Sequence, residues 1–142
     1  MKAKYALRAL MVLAQPGREL TTARALAVDA EVPEKFLEAI LVELRHAGFV
    51  QSRRGLLGGH SLARPASEIR LGDVIRCIDG PLAPIRCASV TAFAVCEDCR
   101  DPEHCAIRAL MSDVRNAMSQ VLDHRTLQEL SAREGEALRA LC

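Results

Sequence analysis

The chain is 142 residues long, half of them apolar, with a formal net charge of +1 at pH 7 and 3% aromatics. That length suits one compact domain, or a small domain with an appendage. Its aromatics, Tyr5, Phe36, Phe49 and Phe93, are too few for a stacking platform under single-stranded nucleic acid. No apolar run reaches the roughly 18 residues of a membrane helix. Lys2 and Lys4 ahead of apolar residues mimic the start of a secretory leader, but Arg8 interrupts the stretch and it ends too early, near Ala14. The expected location is the cytoplasm, with no membrane partner. Charge is unevenly spread: residues 1–64 carry ten Lys/Arg against six Asp/Glu, and residues 65–142 carry nine against twelve. A basic first half is a hint of nucleic-acid contact.

In chain order, Leu7, Leu10 and Met11 take helical spacing within residues 4–14, and Pro16-Gly17 stops them. Thr21 or Thr22 suits the N-cap of a second short helix with Ala25, Leu26 and Val28. Pro33 fits a helix start. Phe36, Leu37, Ile40, Leu41 and Leu44 then form an apolar stripe, closed by Arg45, His46 and Gly48. Residues 49–52 and 60–63, joined by a Gly-rich link, read as a β-hairpin. Residues 69–79 predict a helix with Leu71, Val74, Ile75 and Ile78 inward, ended by Gly80-Pro81. Residues 81–102 are irregular and cysteine-rich. Ile107, Leu110, Met111, Val114, Met118, Val121 and Leu122 predict the longest helix, and a last one covers about 126–134. The long stripe exceeds what so small a domain can cover, so a homodimer is expected along it.

Three short helices followed by a hairpin is the winged helix-turn-helix order. The third helix can offer its first residues to base edges in the major groove while its stripe docks on the other two. Arginines at the hairpin tip suit phosphates or the minor groove, and glycines allow close approach. The candidate DNA contacts are Thr22, Glu34, Lys35, Arg53, Arg54, Gly58, Gly59 and His60. Trihelical units also occur as plain packing, and a charged turn is usually just solvated. Their succession here favours double-stranded DNA as the partner.

Six cysteines in a reducing compartment point to metal or redox chemistry rather than disulfides. Cys96 and Cys99 have chelating spacing, and Cys87, Cys96, Cys99 and Cys105 fall within nineteen residues. Four thiolates can complete the sphere of a zinc ion or an iron–sulfur cluster, and spacing leaves both open. Bound metal would also order a loop with little apolar material. Cys77 reads as a small residue on an apolar helix face, Cys142 as a bystander, and His104 as a solvent-facing neighbour or an alternative ligand. A thiol redox enzyme using Cys96 and Cys99 is disfavoured, because no βαβ unit surrounds them. An enzyme is not expected.

The segments KAKYALRAL, KFLEAILVEL, RRGLLGGHSLARP and EIRLGDVIRCIDGPLAP, then a Cys-rich loop before a long helix, resemble in order the Rrf family of bacterial regulators. Relatives there include IscR, NsrR, RirA and CymR. The resemblance runs from Lys2 to about Leu130. It implies a winged helix-turn-helix homodimer whose long helix crosses its mate, and in many members an iron–sulfur cluster that senses redox state, nitric oxide or iron status. A common family pattern has three cysteines, each separated by five residues. Cys99 and Cys105 match its last two, while Phe93 occupies the first position. Arg108 stands where IscR-like proteins have a histidine, and Lys4 where some relatives take a carboxylate from the other subunit. These departures, with Cys87 and Cys96 gained, suggest an all-thiolate cluster within one subunit.

The expected protein is therefore mainly α with a small β-hairpin wing. Residues 1–80 would form the winged helix-turn-helix domain, 81–105 a cluster-binding loop, and 106–142 the dimerisation and C-terminal helices. The expected function is a dimeric transcriptional regulator, a repressor on a palindromic operator. Its cofactor would be a 2Fe-2S or 4Fe-4S cluster, with zinc or a cluster-free thiol switch as alternatives. Leu110, Val114, Met118 and Val121 would line the dimer seam.

Overall fold

A computed structural model describes residues 2–140 of the chain. It contains α1 (Lys2–Leu13), α2 (Ala23–Asp29), α3 (Glu34–His46), β1 (Val50–Arg53), β2 (Gly59–Leu62), α4 (Leu71–Asp79), α5 (Ala106–Leu122) and α6 (Leu127–Ala140). This is the expected mainly α architecture with a two-stranded wing. Cys142 lies outside the described residues.

One apolar core joins α1 to α4 with the start of the wing and of α6. Leu10, Leu26, Leu37, Ile40, Leu44, Ile69 and Leu127 are fully buried in it. Each such side chain stabilises the fold by about 1.5–3 kcal/mol relative to exposure. Small residues on α1 (Ala3, Ala6 and Ala9, all buried) let the neighbouring helices approach closely. The α1 helix packs on α2, α3, α4 and α6 and forms the hub of the unit.

Two stripe members do not go inward. Val28 and Phe36 are 72% and 58% exposed. Phe36 and Leu37 are adjacent, so about 100° of helix rotation separates them; Leu37 takes the core and Phe36 turns to water.

The strands pair antiparallel, with Val50 opposite Leu62 and Arg53 opposite Gly59. A single bridge adds Thr21 beside His60, through His60 N–H to Thr21 O at 2.7 Å and Thr21 N–H to His60 O at 2.9 Å. The wing is thus anchored to the entry of α2, a feature the hairpin pattern does not announce.

Residues 81–105 lack helix or strand apart from one 3-10 turn, Arg86–Ala88. The α5 helix follows, and its 17 residues span about 25 Å at 1.5 Å each. The α6 helix runs past the expected end at 134 and returns to the core. Leu127 N–H donates to Ile69 O at 2.9 Å, and Leu71 N–H donates to Arg125 O at 3.0 Å. Among the described residues no helix is long and apolar enough to cross a membrane.

Candidate functional site

The first site is the face formed by the start of α2, α3 and the wing. Thr22 is the N-cap of α2, and its Oγ1 accepts a hydrogen bond from the Ala25 N–H at 3.2 Å. Glu34 and Lys35 open α3 and are exposed. Phe36, which the stripe assigned to the core, stands exposed beside them. An exposed apolar residue at that place can meet a thymine methyl. Its signal in the sequence was the adjacent Leu37, which competes for the same inward direction.

Arg53 and Arg54 are exposed at the end of β1. Gly58 and Gly59 have a packing reason as well as their expected DNA role. A Cβ on Gly58 would overlap the Arg53 carbonyl, and one on Gly59 would press on the Thr21 backbone. His60 sits half-buried in a groove between α3 and the wing, with Glu38, Val42, Arg45 and Ser52. Its Nδ1 lies 2.9 Å from Ser52 Oγ. Burial, then the nearby Arg45, lowers its pKa below the ordinary 6.5, which favours the neutral ring.

The second site is the cysteine loop. Cys87, Cys96, Cys99 and Cys105 all line one cavity of about 470 Å³, with Ile85, Asp98, Arg100, Asp101 and Ile107. The five described cysteines, Cys77 included, are free thiols. A hydrogen bond with Cys87, then desolvation, pushes the Cys96 thiol up, and desolvation does the same to Cys99. Both shifts favour the thiol over the thiolate at Cys96 and Cys99. No three His, Cys, Asp or Glu side chains among the described residues are close enough to hold a metal ion without movement. The donor set, four soft sulfurs around one cavity, suits iron–sulfur ligation or zinc by its chemistry. Cys77, expected on an apolar helix face, and His104, the alternative ligand, are both absent from the cavity lining. Cys77 is on α4 with its Sγ 3.9 Å from the Glu43 carbonyl. His104 is exposed, and its Nδ1 lies 2.7 Å from Asp101 Oδ2.

The loop is fastened to α5 by arginines. Arg108 donates from Nε to Cys87 O at 3.0 Å and from Nη1 to Pro102 O at 2.8 Å. Arg115 Nη1 donates to Ala88 O. At its other end α5 is held to α4, where Arg76 forks onto both oxygens of Asp123 at 2.7 Å each. Between these ties α5 buries none of its residues in the described chain. Ile107, Leu110, Val114, Met118 and Val121 are 38–64% exposed. The four expected seam residues are thus all on open surface.

The Rrf2 family, described as iron-dependent transcriptional regulators, matches residues 1–133. An rrf2-like HTH-type transcriptional regulator of Rhodobacter capsulatus is 38% identical over 144 residues, which is 99% of this chain and 96% of its own. The solved structure of CymR, the global cysteine regulator of B. subtilis, aligns with a TM-score of 0.74 at 34% identity, covering 94% of this chain and 95% of its own. That of T. potens IscR aligns with a TM-score of 0.74 at 28% identity, covering 96% and 88%. The names these relatives carry are those of regulators, not enzymes. With its winged-helix fold and this match along nearly its whole length, the chain belongs to the Rrf2 family of DNA-binding transcriptional regulators.

Proposed function

We propose that the chain is a homodimeric repressor whose operator affinity is set by an iron–sulfur cluster on Cys87, Cys96, Cys99 and Cys105. The observation that carries this reading is the convergence of all four thiols on one cavity next to the start of α5. A bound cluster would supply iron that reacts with oxidants or nitric oxide and can change charge by one electron. The chain's own residues supply the coupling. Arg108 and Arg115 tie the loop to α5, and Asp123 ties α5 to α4. A shift of the loop can thus reach α5, and through it the spacing of two DNA-reading faces.

The apolar side of α5 would meet the same side of a second copy, with Leu110, Val114, Met118 and Val121 at the seam. Two α3 helices about 34 Å apart then read a palindrome. Glu34 and Lys35 would face base edges, while Arg53, Arg54 and the wing glycines would lie near the backbone. Zinc held by the same four sulfurs is the alternative occupant.

A cluster-free thiol switch is the second reading, favoured by the contact between Cys87 and Cys96 and by the likeness to CymR. Anaerobic purification followed by iron, zinc and acid-labile sulfide analysis separates the three. A coloured protein with iron and sulfide together supports the proposal. Colourless protein with zinc, whose filled d shell absorbs no visible light, overturns it in favour of a structural ion. Metal-free protein that binds DNA and responds to oxidants overturns it in favour of thiols alone.

A further inference from the structure

The wing ends in a four-residue turn, residues 55–58, closed by a 2.9 Å hydrogen bond from the Gly58 N–H to the Gly55 carbonyl. Its two corner residues are Leu56 and Leu57. Turn corners ordinarily take Gly, Pro, Asn, Asp or Ser, which suit the bend and the water around it. Leu56 is completely exposed and Leu57 is 84% exposed. Neither belongs to the hydrophobic core. Two adjacent leucines thus break a local rule with no folding gain, which marks a functional position.

Their surroundings choose the occupant. Residues 53–59 contain two arginines and no acidic residue. The remaining residues of the tip are glycines, so no other side chain stands between the leucines and a surface they approach. An apolar point flanked by paired positive charge complements a duplex, where phosphates border a groove floored by base edges. It complements an apolar protein pocket poorly, because both arginines would lose water without a partner.

We propose that Leu56 and Leu57 form a wedge that enters the DNA minor groove and presses between two base pairs, while Arg53 and Arg54 hold the adjoining phosphates. The proposal rests on the DNA-binding reading and extends it to a mode of sequence selection. Apolar side chains inserted between base steps unstack them and kink the duplex. The cost is lowest at pyrimidine–purine steps such as TA and CA, so the wing would select a flexible step through deformability and without base hydrogen bonds. The step would recur on both sides of a palindrome, at the distance set by the dimer.

The test uses the full-length protein. Tight-binding duplexes are first selected from a randomised 30-base-pair library. 2-Aminopurine is then placed at each flexible step of the winning duplex, and fluorescence and affinity are measured against salt. The expected result is a fluorescence rise at one step per half-site with wild type. L56S/L57S should lose that rise and bind about tenfold more weakly, with an unchanged salt slope and an unchanged melting temperature. R53A/R54A should instead flatten the salt slope, by about 0.9 for each phosphate that is no longer neutralised. Selection of a duplex without any fluorescence rise, or a rise that persists in L56S/L57S, overturns the wedge and leaves DNA binding intact. Failure of wild type to enrich any duplex overturns both.

Discussion

The Arg108 guanidinium carbon lies 5.2 Å from the centre of the Phe93 ring, a cation–π contact. These are the two positions at which the common family patterns place a cysteine and a histidine. Their replacements touch each other, and Arg108 also binds the carbonyls of Cys87 and Pro102. Arg108 thus braces the backbone of one of the candidate ligands, Cys87. The two departures from the family pattern therefore fall on one contact beside the proposed centre.

Removing that brace should loosen the loop. Arg108→Ala is expected to lower iron affinity about 10–100-fold, the usual effect of losing a group that orients a ligand. Competition with a chelator under anaerobic conditions measures it. Arg108→Lys keeps the charge but not the planar fork, so it should fall between the two. Equal iron retention in all three proteins would show that Arg108 positions nothing.

The second tie predicts a pH dependence. The Arg76 guanidinium, by hydrogen bond and then by charge, holds the Asp123 carboxyl below its ordinary 3.8, against the opposing effect of burial. Folding thus favours the ionised form. The stabilisation is complete above the ordinary carboxylate range and is lost as pH falls through the lowered folded value. The pair is about a third exposed (29% and 34%), so screening leaves about 1–2 kcal/mol. Asp123→Asn should lower the melting temperature at pH 7, with the gap to wild type closing below about pH 3.8. Gly72→Ala should act similarly, since its Cβ would overlap the Asp123 carboxylate. A gap constant with pH would mean that the ion pair does not stabilise the fold.

The helices were legible because their apolar residues repeat every three to four positions, and the wing because glycines separate two short extended runs. What stayed hidden has no period. The single bridge between Thr21 and His60 is one residue pair. The direction of Phe36 depends on which of two adjacent apolar residues the core admits. Arg108 and Arg115 bond the carbonyls of Cys87 and Ala88 to α5, ties that spacing cannot reveal. Spacing puts the four cysteines within nineteen residues; that they line one cavity is visible only in the fold. Leu127, at the start of α6, is buried with α1 to α4.

The exposed side of α5 predicts the oligomer. Val114 lies near the middle of the helix, and Val114→Asp would bury an unpaired charge at a self-complementary seam. That costs about 3–5 kcal/mol, enough to shift a micromolar dimer to monomer. Sedimentation velocity should show a dimer for wild type and a monomer for the variant, with unchanged helical content by circular dichroism. A wild-type monomer at micromolar concentration would remove the seam and, with it, the palindromic operator.

The cysteines give the most direct test of the centre. A thiolate ligand must lose its proton, and iron drives that loss by its own charge. The thiols of Cys96 and Cys99, held up by their surroundings, should therefore release protons when the cluster is inserted, which a weakly buffered titration can count. Replacing one of four ligands opens an iron to water and oxidants. Cys99→Ser and Cys105→Ser, at the family-matching positions, should abolish or strongly destabilise the visible absorption. Cys77→Ser should keep it, because Cys77 sits on α4 beside Glu43 and outside the cavity. Cys87→Ser and Cys96→Ser decide the two proposed ligands that have no match in the family pattern. Cys87 is buried beneath the Arg108 brace while Cys96 is exposed, so removal of the Cys87 thiol should also disturb the loop itself, seen as faster proteolysis between residues 85 and 105. Removal of the Cys96 thiol should eliminate the cluster and leave that protection in place. A cluster that survives either substitution would exclude that residue as a ligand and reopen His104 or a residue of the partner subunit as the fourth. Unchanged iron, sulfide and absorption in all four variants would end the cluster assignment, because no other set of soft donors lines this cavity among the described residues.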